Sequence, residues 1–202
     1  MQKYFWALFI FLAQSVGVSA LSLSELPKAI SIKNELAQSQ QIRLLGKDQQ
    51  LGLLQLAPNK KGTFYYFDDQ NQLQNTVILK KKSALLGSTL DFDILNQYQE
   101  KVARLYLDPL GMNRRFTLFS KENKVILRGE QDKVLPCYIW IYANPNYFIQ
   151  YSPVKITLDF FNFDSEVSIL DQQALVSSGV DVNVFQIMLS LAYIATLPLQ
   201  VD

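Results

Sequence analysis

The stretch that decides the fold is "DVNVFQIMLSLAYIATLPLQVD", Asp181 to Asp202. From Val182 to Leu199 it carries no charged residue, in a chain of which 18% is charged. Asp181 suits the N-cap of a helix, where its carboxylate also meets the positive end of the dipole. Pro198 stops the run. The helix expected between them, over about 182–197, has a length of roughly 24 Å. That falls short of the about 30 Å of hydrocarbon in a bilayer. Its polar residues Asn183, Gln186 and Ser190 form one narrow stripe, and the rest is apolar. A helix hydrophobic nearly all round is buried, either in a core or in lipid. No Lys or Arg anchors either end of this one, which favours a core over a membrane tail.

The remainder of the chain supplies something for that helix to fill. Four ten-residue stretches share a pattern: "IRLLGKDQQL" from Ile42, "FYYFDDQNQL" from Phe64, "FTLFSKENKV" from Phe116 and "IWIYANPNYF" from Ile139. Each has apolar residues at its first and third positions, a polar cluster, and an apolar residue at the tenth. "FDILNQYQEKV" from Phe92 repeats the pattern with one residue more, and "ITLDFFNFDSEVSIL" from Ile156 contains a blurred sixth copy. Apolar alternation, a turn cluster and apolar alternation again read as a β-hairpin. Five or six hairpins make ten to twelve strands, and a closed barrel of that width is not filled by strand side chains alone. The expected fold is therefore mainly β: a roughly 12-stranded antiparallel β-barrel of hairpins around one buried apolar C-terminal helix. The barrel is expected over 42–202, after a lead-in over 21–41 that forms a short helix or a loose strand.

Residues 1–20, "MQKYFWALFIFLAQSVGVSA", have a basic start at Lys3, an apolar run from Tyr4 to Ala13, and small residues at Val18 and Ala20. These are the parts of a secretory signal peptide cut after Ala20. They imply a secreted or periplasmic protein whose mature chain has no transmembrane span. The chain has no histidine, which excludes a Ser-His-Asp triad, a Cys-His pair and most catalytic zinc sites. Its one cysteine, Cys137, forms no intramolecular disulfide and reads as a buried structural thiol. A net charge of +1 predicts no nucleic-acid or membrane partner from the overall balance, which leaves that role to local patches, and no cofactor motif is present.

An antiparallel barrel of hairpins around one apolar C-terminal helix resembles the tubby C-terminal-like superfamily, which includes tubby proteins, phospholipid scramblases and LURP-one-related proteins. The resemblance runs from about Ile42 to Leu199 and is carried by "FDILNQYQEKVARLYL", "FTLFSKENKVILRG" and "VDVNVFQIMLSLAYIAT". The chain looks most like the LURP-one-related and scramblase-like bacterial members. The resemblance implies a non-enzymatic binding or scaffold module, and it carries over no specific ligand residue. Most members are intracellular, whereas the leader points this chain outward.

Four groups are candidates for chemistry. Lys80, Lys81 and Lys82, with Lys60, Lys61, Arg114 and Arg115, would suit an anionic lipid surface or a protein partner; lysines at strand ends also serve solubility and block edge pairing. Asp91 and Asp93 alternate with Phe92 and so face one side, while Asp68 and Asp69 sit in a turn. Neither pair has the ligand spacing of a calcium loop, and turn and surface roles are preferred. The aromatics Tyr138, Trp140, Tyr142 and Tyr147 are the choice for a ligand surface, against a preferred place in the core. Ser177 and Ser178 lack a nucleophile elbow. A barrel carrier of a small apolar ligand and a histidine-free carboxylate hydrolase are the alternatives to a binding module.

Overall fold

The computed structural model of the chain describes residues 21–47, 49–83, 89–108, 114–143, 152–159 and 164–194. The leader expected over 1–20 and the last turn of the expected helix, 195–197, lie outside the described residues. The described chain forms a closed antiparallel barrel of twelve strands. In order these are β1 (Ala29–Glu35), β2 (Gln41–Leu45), β3 (Gln50–Leu56), β4 (Thr63–Asp68), β5 (Leu73–Ser83), β6 (Thr89–Asn96), β7 (Lys101–Asp108), β8 (Arg115–Ser120), β9 (Val125–Gln131), β10 (Tyr138–Tyr142), β11 (Val154–Leu158) and β12 (Asp164–Ile169). Three helices join them: α1 (Leu36–Ser39), α2 (Gln172–Ser177) and α3 (Val182–Ile194). Every strand pairs with its neighbour in sequence, and β1 closes the ring on β12, with Ile30 opposite Val167 and Ile32 opposite Ser165.

The hairpin pattern works through its turns. Asp68, Asn96 and Ser120 each open a five-residue turn in which the side-chain oxygen accepts the N–H groups two and four residues on, at 2.8–3.3 Å. The fourth residue of each turn, Asn71, Gln99 or Asn123, is left-handed with φ near 60°. That is a type I turn followed by a left-handed residue and a bulge, a common hairpin closure. The ladder shifts register beside each turn, at Tyr66/Phe67, Ile94/Leu95 and Leu118/Phe119.

One boundary differs from expectation. β1 lies inside the 21–41 stretch read as a lead-in, so the barrel begins at Ala29 rather than near Ile42. Its sequence alternates, but its second partner β12 is distant along the chain and gives no local signal. The strand paired with β10 on the side away from β9 is β11, which is shared with the sixth hairpin. Phe148 lies outside the described residues.

Inside the ring the side chains are mostly apolar: Ile30, Ile32, Ile42, Leu44, Ile94, Leu105, Leu118, Leu127, Ile141 and Ile156 are fully buried, with Asn75, Gln131 and Ser165 as buried polar exceptions on the strands. α3 occupies this interior. Phe185, Ile187, Met188, Leu189 and Leu191 have no exposed surface, and each such burial stabilises by about 1.5–3 kcal/mol. Asp181 caps α3 as expected, its Oδ1 accepting the N–H groups of Asn183 and Val184 at 2.9 and 3.1 Å. Before α3, helix α2 lies across one mouth of the barrel. Gln172 Nε2 donates to the carbonyls of Leu23 and Leu26 there, at 2.7 and 3.0 Å, and so ties down the N-terminal 3-10 turn Leu23–Glu25.

Two of the three residues of the helix's polar stripe are buried, and Asn183 is half-buried. Gln186 and Ser190 are buried, and Gln186 Oε1 accepts a hydrogen bond from the Tyr66 hydroxyl on β4. Gly52 on β3 makes room for this pair, since a Cβ there would meet both the Tyr66 hydroxyl and Gln186 Oε1. Outside, the strands carry Arg43, Asp91, Asp93, Arg104, Arg128, Glu130 and Lys155, none of them buried. An apolar interior under a charged exterior is the inverse of a membrane-spanning barrel. No helix among the described residues is long and apolar enough to cross a membrane.

Candidate binding surface

Strand direction sorts the connections into two ends. The β3–β4 turn, the C-terminal end of β5, the start of β8 and the β9–β10 turn share one end. Lys60, Lys61, Lys80, Arg114, Arg115 and Lys133 therefore share that end, spread along half of its rim from the β3–β4 turn to the β9–β10 turn, although the sequence scatters them over more than 70 residues. Leu79 N donates to Gly62 O at 2.7 Å, which sets the Lys60–Lys61 turn beside Lys80. Arg115 is three strands further round, about 14 Å at 4.8 Å per strand. The side chains of Lys81 and Lys82 lie outside the described residues; their backbone continues β5 at the same end. The acids Glu35, Asp159 and Asp164 occupy a different arc of this end, on or beside β1, β11 and β12, whereas Asp108, Glu130 and Asp132 stand among the cations, beside Arg115 and Lys133.

The local structure of each cation differs. Lys80 is the extra residue of a bulge, where pairing steps from Leu79–Phe92 to Lys81–Asp91. Its ammonium is exposed and lies 3.8 Å from Asp93, which Lys101 already holds at 2.6 Å. Arg115 reaches Glu130 at 2.9 Å while remaining exposed, so the pair contributes about 0–1 kcal/mol. Arg114 is half-buried, and burial lowers the pKa of its guanidinium. Its carbonyl accepts from Gln131 N at 2.9 Å, which fixes β8 against the β9–β10 turn.

Asp91 and Asp93 share the outer face, as their spacing implies, but both are matched by cations. Arg104 forks onto Asp91 at 2.8 and 2.9 Å while lying over the Phe119 ring at 5.6 Å. The Asp91 pairing raises the Arg104 pKa above its ordinary value. Asp68 is used by its turn and by Gln74 Nε2 at 2.6 Å. Ser177 and Ser178 donate back to helix carbonyls, Gln173 O and Leu175 O.

The aromatics of β10 correct the core assignment. Ile139 and Ile141 take the inward positions, so Tyr138, Trp140 and Tyr142 face out and are half-buried. Tyr138 and Trp140 meet edge to face at 6.2 Å, and Lys155 Nζ sits 4.7 Å from the Tyr138 ring centre. Burial first, then the charge of Glu130, raises the Tyr142 pKa. Tyr147 lies outside the described residues. Cys137 is half-buried and free, more open than a core thiol. The alternation of Ile with aromatics in "YIWIY" was the available signal, since parity places one set inside and the other outside.

The turn that follows β9 was hidden inside the apolar run "VLPCYIWIY". Val134 is 84% exposed and Leu135 50% exposed, beside Lys133. Asp132 holds them: its Oδ1 accepts from Val134 N and Leu135 N at 2.8 and 3.0 Å, and its Oδ2 from Trp140 Nε1 at 2.8 Å. The missed signal is an Asp two residues ahead of an apolar pair and Pro136, a side-chain turn.

At the opposite end a groove of about 1120 Å³ runs between α2 and the β8–β9 turn. Its wall includes Tyr142, Ser152 and Leu170, with Glu122 and Lys124 also lining it. The turns of that end mix Asp68, Asp69, Glu100 and Glu122 with Lys47, Lys121 and Lys124.

No family model matches the chain, and no curated protein sequence matches it. Among solved structures it is similar to the X-ray structure of a protein from Arabidopsis thaliana, at 11% identity and a TM-score of 0.29, over 82% of this chain and 92% of that one.

Proposed function

We propose that this chain is an exported, non-enzymatic binding module of the tubby-like, LURP-one-related kind, and that its basic barrel end engages an anionic lipid surface. The observation that carries this is that strand direction brings Lys60, Lys61, Lys80, Arg114, Arg115 and Lys133 to one end of the barrel, along one half of its rim. Each cation near an anionic membrane contributes about 1 kcal/mol, within a Debye length of about 8 Å at physiological salt. Exposed cations whose pairs are weak in water are free to exchange those partners for headgroups. The filled interior supports a surface function over a carrier: α3 takes the axial space that a small apolar ligand would need. The pairing of Asp91 and Asp93 with cations supports a binder over a carboxylate hydrolase. The leader supplies the export assignment.

The test is flotation with neutral and with anionic vesicles at low and high salt. Binding to anionic vesicles alone, reversed by salt, is the expected result. Absence of binding under every condition would sink the lipid assignment and leave a protein as the partner.

A further inference from the structure

A basic patch alone holds a protein to a membrane weakly, and stable attachment takes a second, apolar signal. The basic end carries one. Among the described residues, Val134 and Leu135 are its exposed large apolar side chains, whereas Leu73, Tyr98, Leu170 and Val176 belong to the opposite end. Lys133 precedes them, and Arg114 and Arg115 flank them through the β8–β9 ladder, where Gln131 N donates to Arg114 O. The turn is stiff. Asp132 uses both carboxylate oxygens on Val134, Leu135 and Trp140, and Tyr138 N donates to Leu135 O at 2.9 Å. Gln131 Nε2 closes it from beneath by donating to Pro136 O.

We propose that the β9–β10 turn is a membrane-insertion tip: Val134 and Leu135 enter the boundary between headgroups and acyl chains of an anionic bilayer, while Lys133, Arg114 and Arg115 meet the phosphates around them. The proposal rests on the lipid-surface function above and adds where, and by which chemistry, the barrel touches the lipid. A tip held in shape before contact loses little conformational freedom on insertion. Cations beside an apolar pair match the layered polarity of the interface, with charge at the headgroups and alkyl groups below.

The chain contains two tryptophans, Trp6 and Trp140. In the full chain carrying Trp6→Phe, Trp140 reports from beside the tip through its bond to Asp132. The probe is a phosphatidylcholine–phosphatidylserine vesicle with or without bromine on the acyl chains. Quenching of Trp140 by the brominated vesicles is expected. Val134→Ser/Leu135→Ser in the same background should abolish the quenching and weaken binding by about a hundredfold. Residues 1–20 are common to both chains, so the difference isolates the tip. Binding by the parent chain with no quenching of Trp140, or equal affinity in the double variant, overturns the tip and leaves the basic end standing. Failure of the parent to bind phosphatidylserine vesicles at all removes both. Should the double variant misfold, Leu135→Gln alone and the parent's own quenching still decide the matter.

Discussion

The Tyr66 hydroxyl on β4 donates to Gln186 Oε1 on α3, joining the barrel wall to the axial helix across 120 residues of sequence. Burial first, then the nearby Asp68, Asp181 and Asp69, raises the Tyr66 pKa far above its ordinary value. The phenol is therefore a neutral donor throughout the physiological range. Gln186 Nε2 has no hydrogen-bond partner among the described residues, so the pair rests on this one contact.

Removing one partner should cost more than removing both. Tyr66→Phe leaves the Gln186 carbonyl oxygen unpaired in the core, a penalty of about 1–3 kcal/mol. Gln186→Leu likewise orphans the phenol. The double change should be less destabilising than the sum of the two single changes, because no buried polar group remains. Urea unfolding of the three variants tests this; strict additivity would mean that the bond contributes nothing to locking α3 in place.

Gly129 offers a test of the wall itself. It stands opposite Phe116 in the β8–β9 ladder, and a Cβ at Gly129 would run into the Phe116 ring. Gly129→Ala should destabilise by about 1–3 kcal/mol through overpacking. Adding Phe116→Leu should recover part of the loss, since the clash disappears with the ring. If the alanine variant melts with the parent, the ring has an alternative place to go.

How far these features were legible follows from how local they are. The turns at Asp68, Asn96 and Ser120 and the run from Val182 are written in adjacent residues, so period and turn chemistry disclose the hairpins and the helix. β1 is written the same way, but its place as the closing strand depends on β12, more than 120 residues away. The basic end is legible only after strand parity is known: Lys60, Lys80 and Arg115 are three separate patches until the meander alternates them to one side. The exposure of Val134 and Leu135 was masked by their hydrophobicity, which in a linear pattern looks like strand and in the folded turn is tip.

The basic end should matter for binding and not for folding. Lys60→Gln, Lys61→Gln, Lys80→Gln and Arg115→Gln together should weaken association with anionic vesicles by about a hundred- to a thousandfold, at roughly 1 kcal/mol each. Lys47→Gln, Lys121→Gln and Lys124→Gln at the opposite end should change it little. The thermal midpoint should move slightly in either set, because the pairs removed are exposed. Equal losses from the two sets would mean that net charge alone drives binding.

The turn that carries Val134 and Leu135 should be pH-sensitive only in acid. The Asp132 pKa is lowered by its bond from Leu135 N first, then by Trp140 Nε1 and Val134 N. A carboxyl whose folded pKa is depressed stabilises the fold above its unfolded value, about 3.9 for Asp, and loses that contribution as the pH falls through the folded value. Trp140 fluorescence in the Trp6→Phe chain should therefore be flat from pH 8 to about 4.5 and change only below about pH 4. Asp132→Asn keeps one acceptor oxygen and removes the charge, so it should abolish that acid transition while shifting the emission already at neutral pH. An acid transition that survives in the asparagine variant would assign the titration to another carboxylate and free the turn from dependence on Asp132.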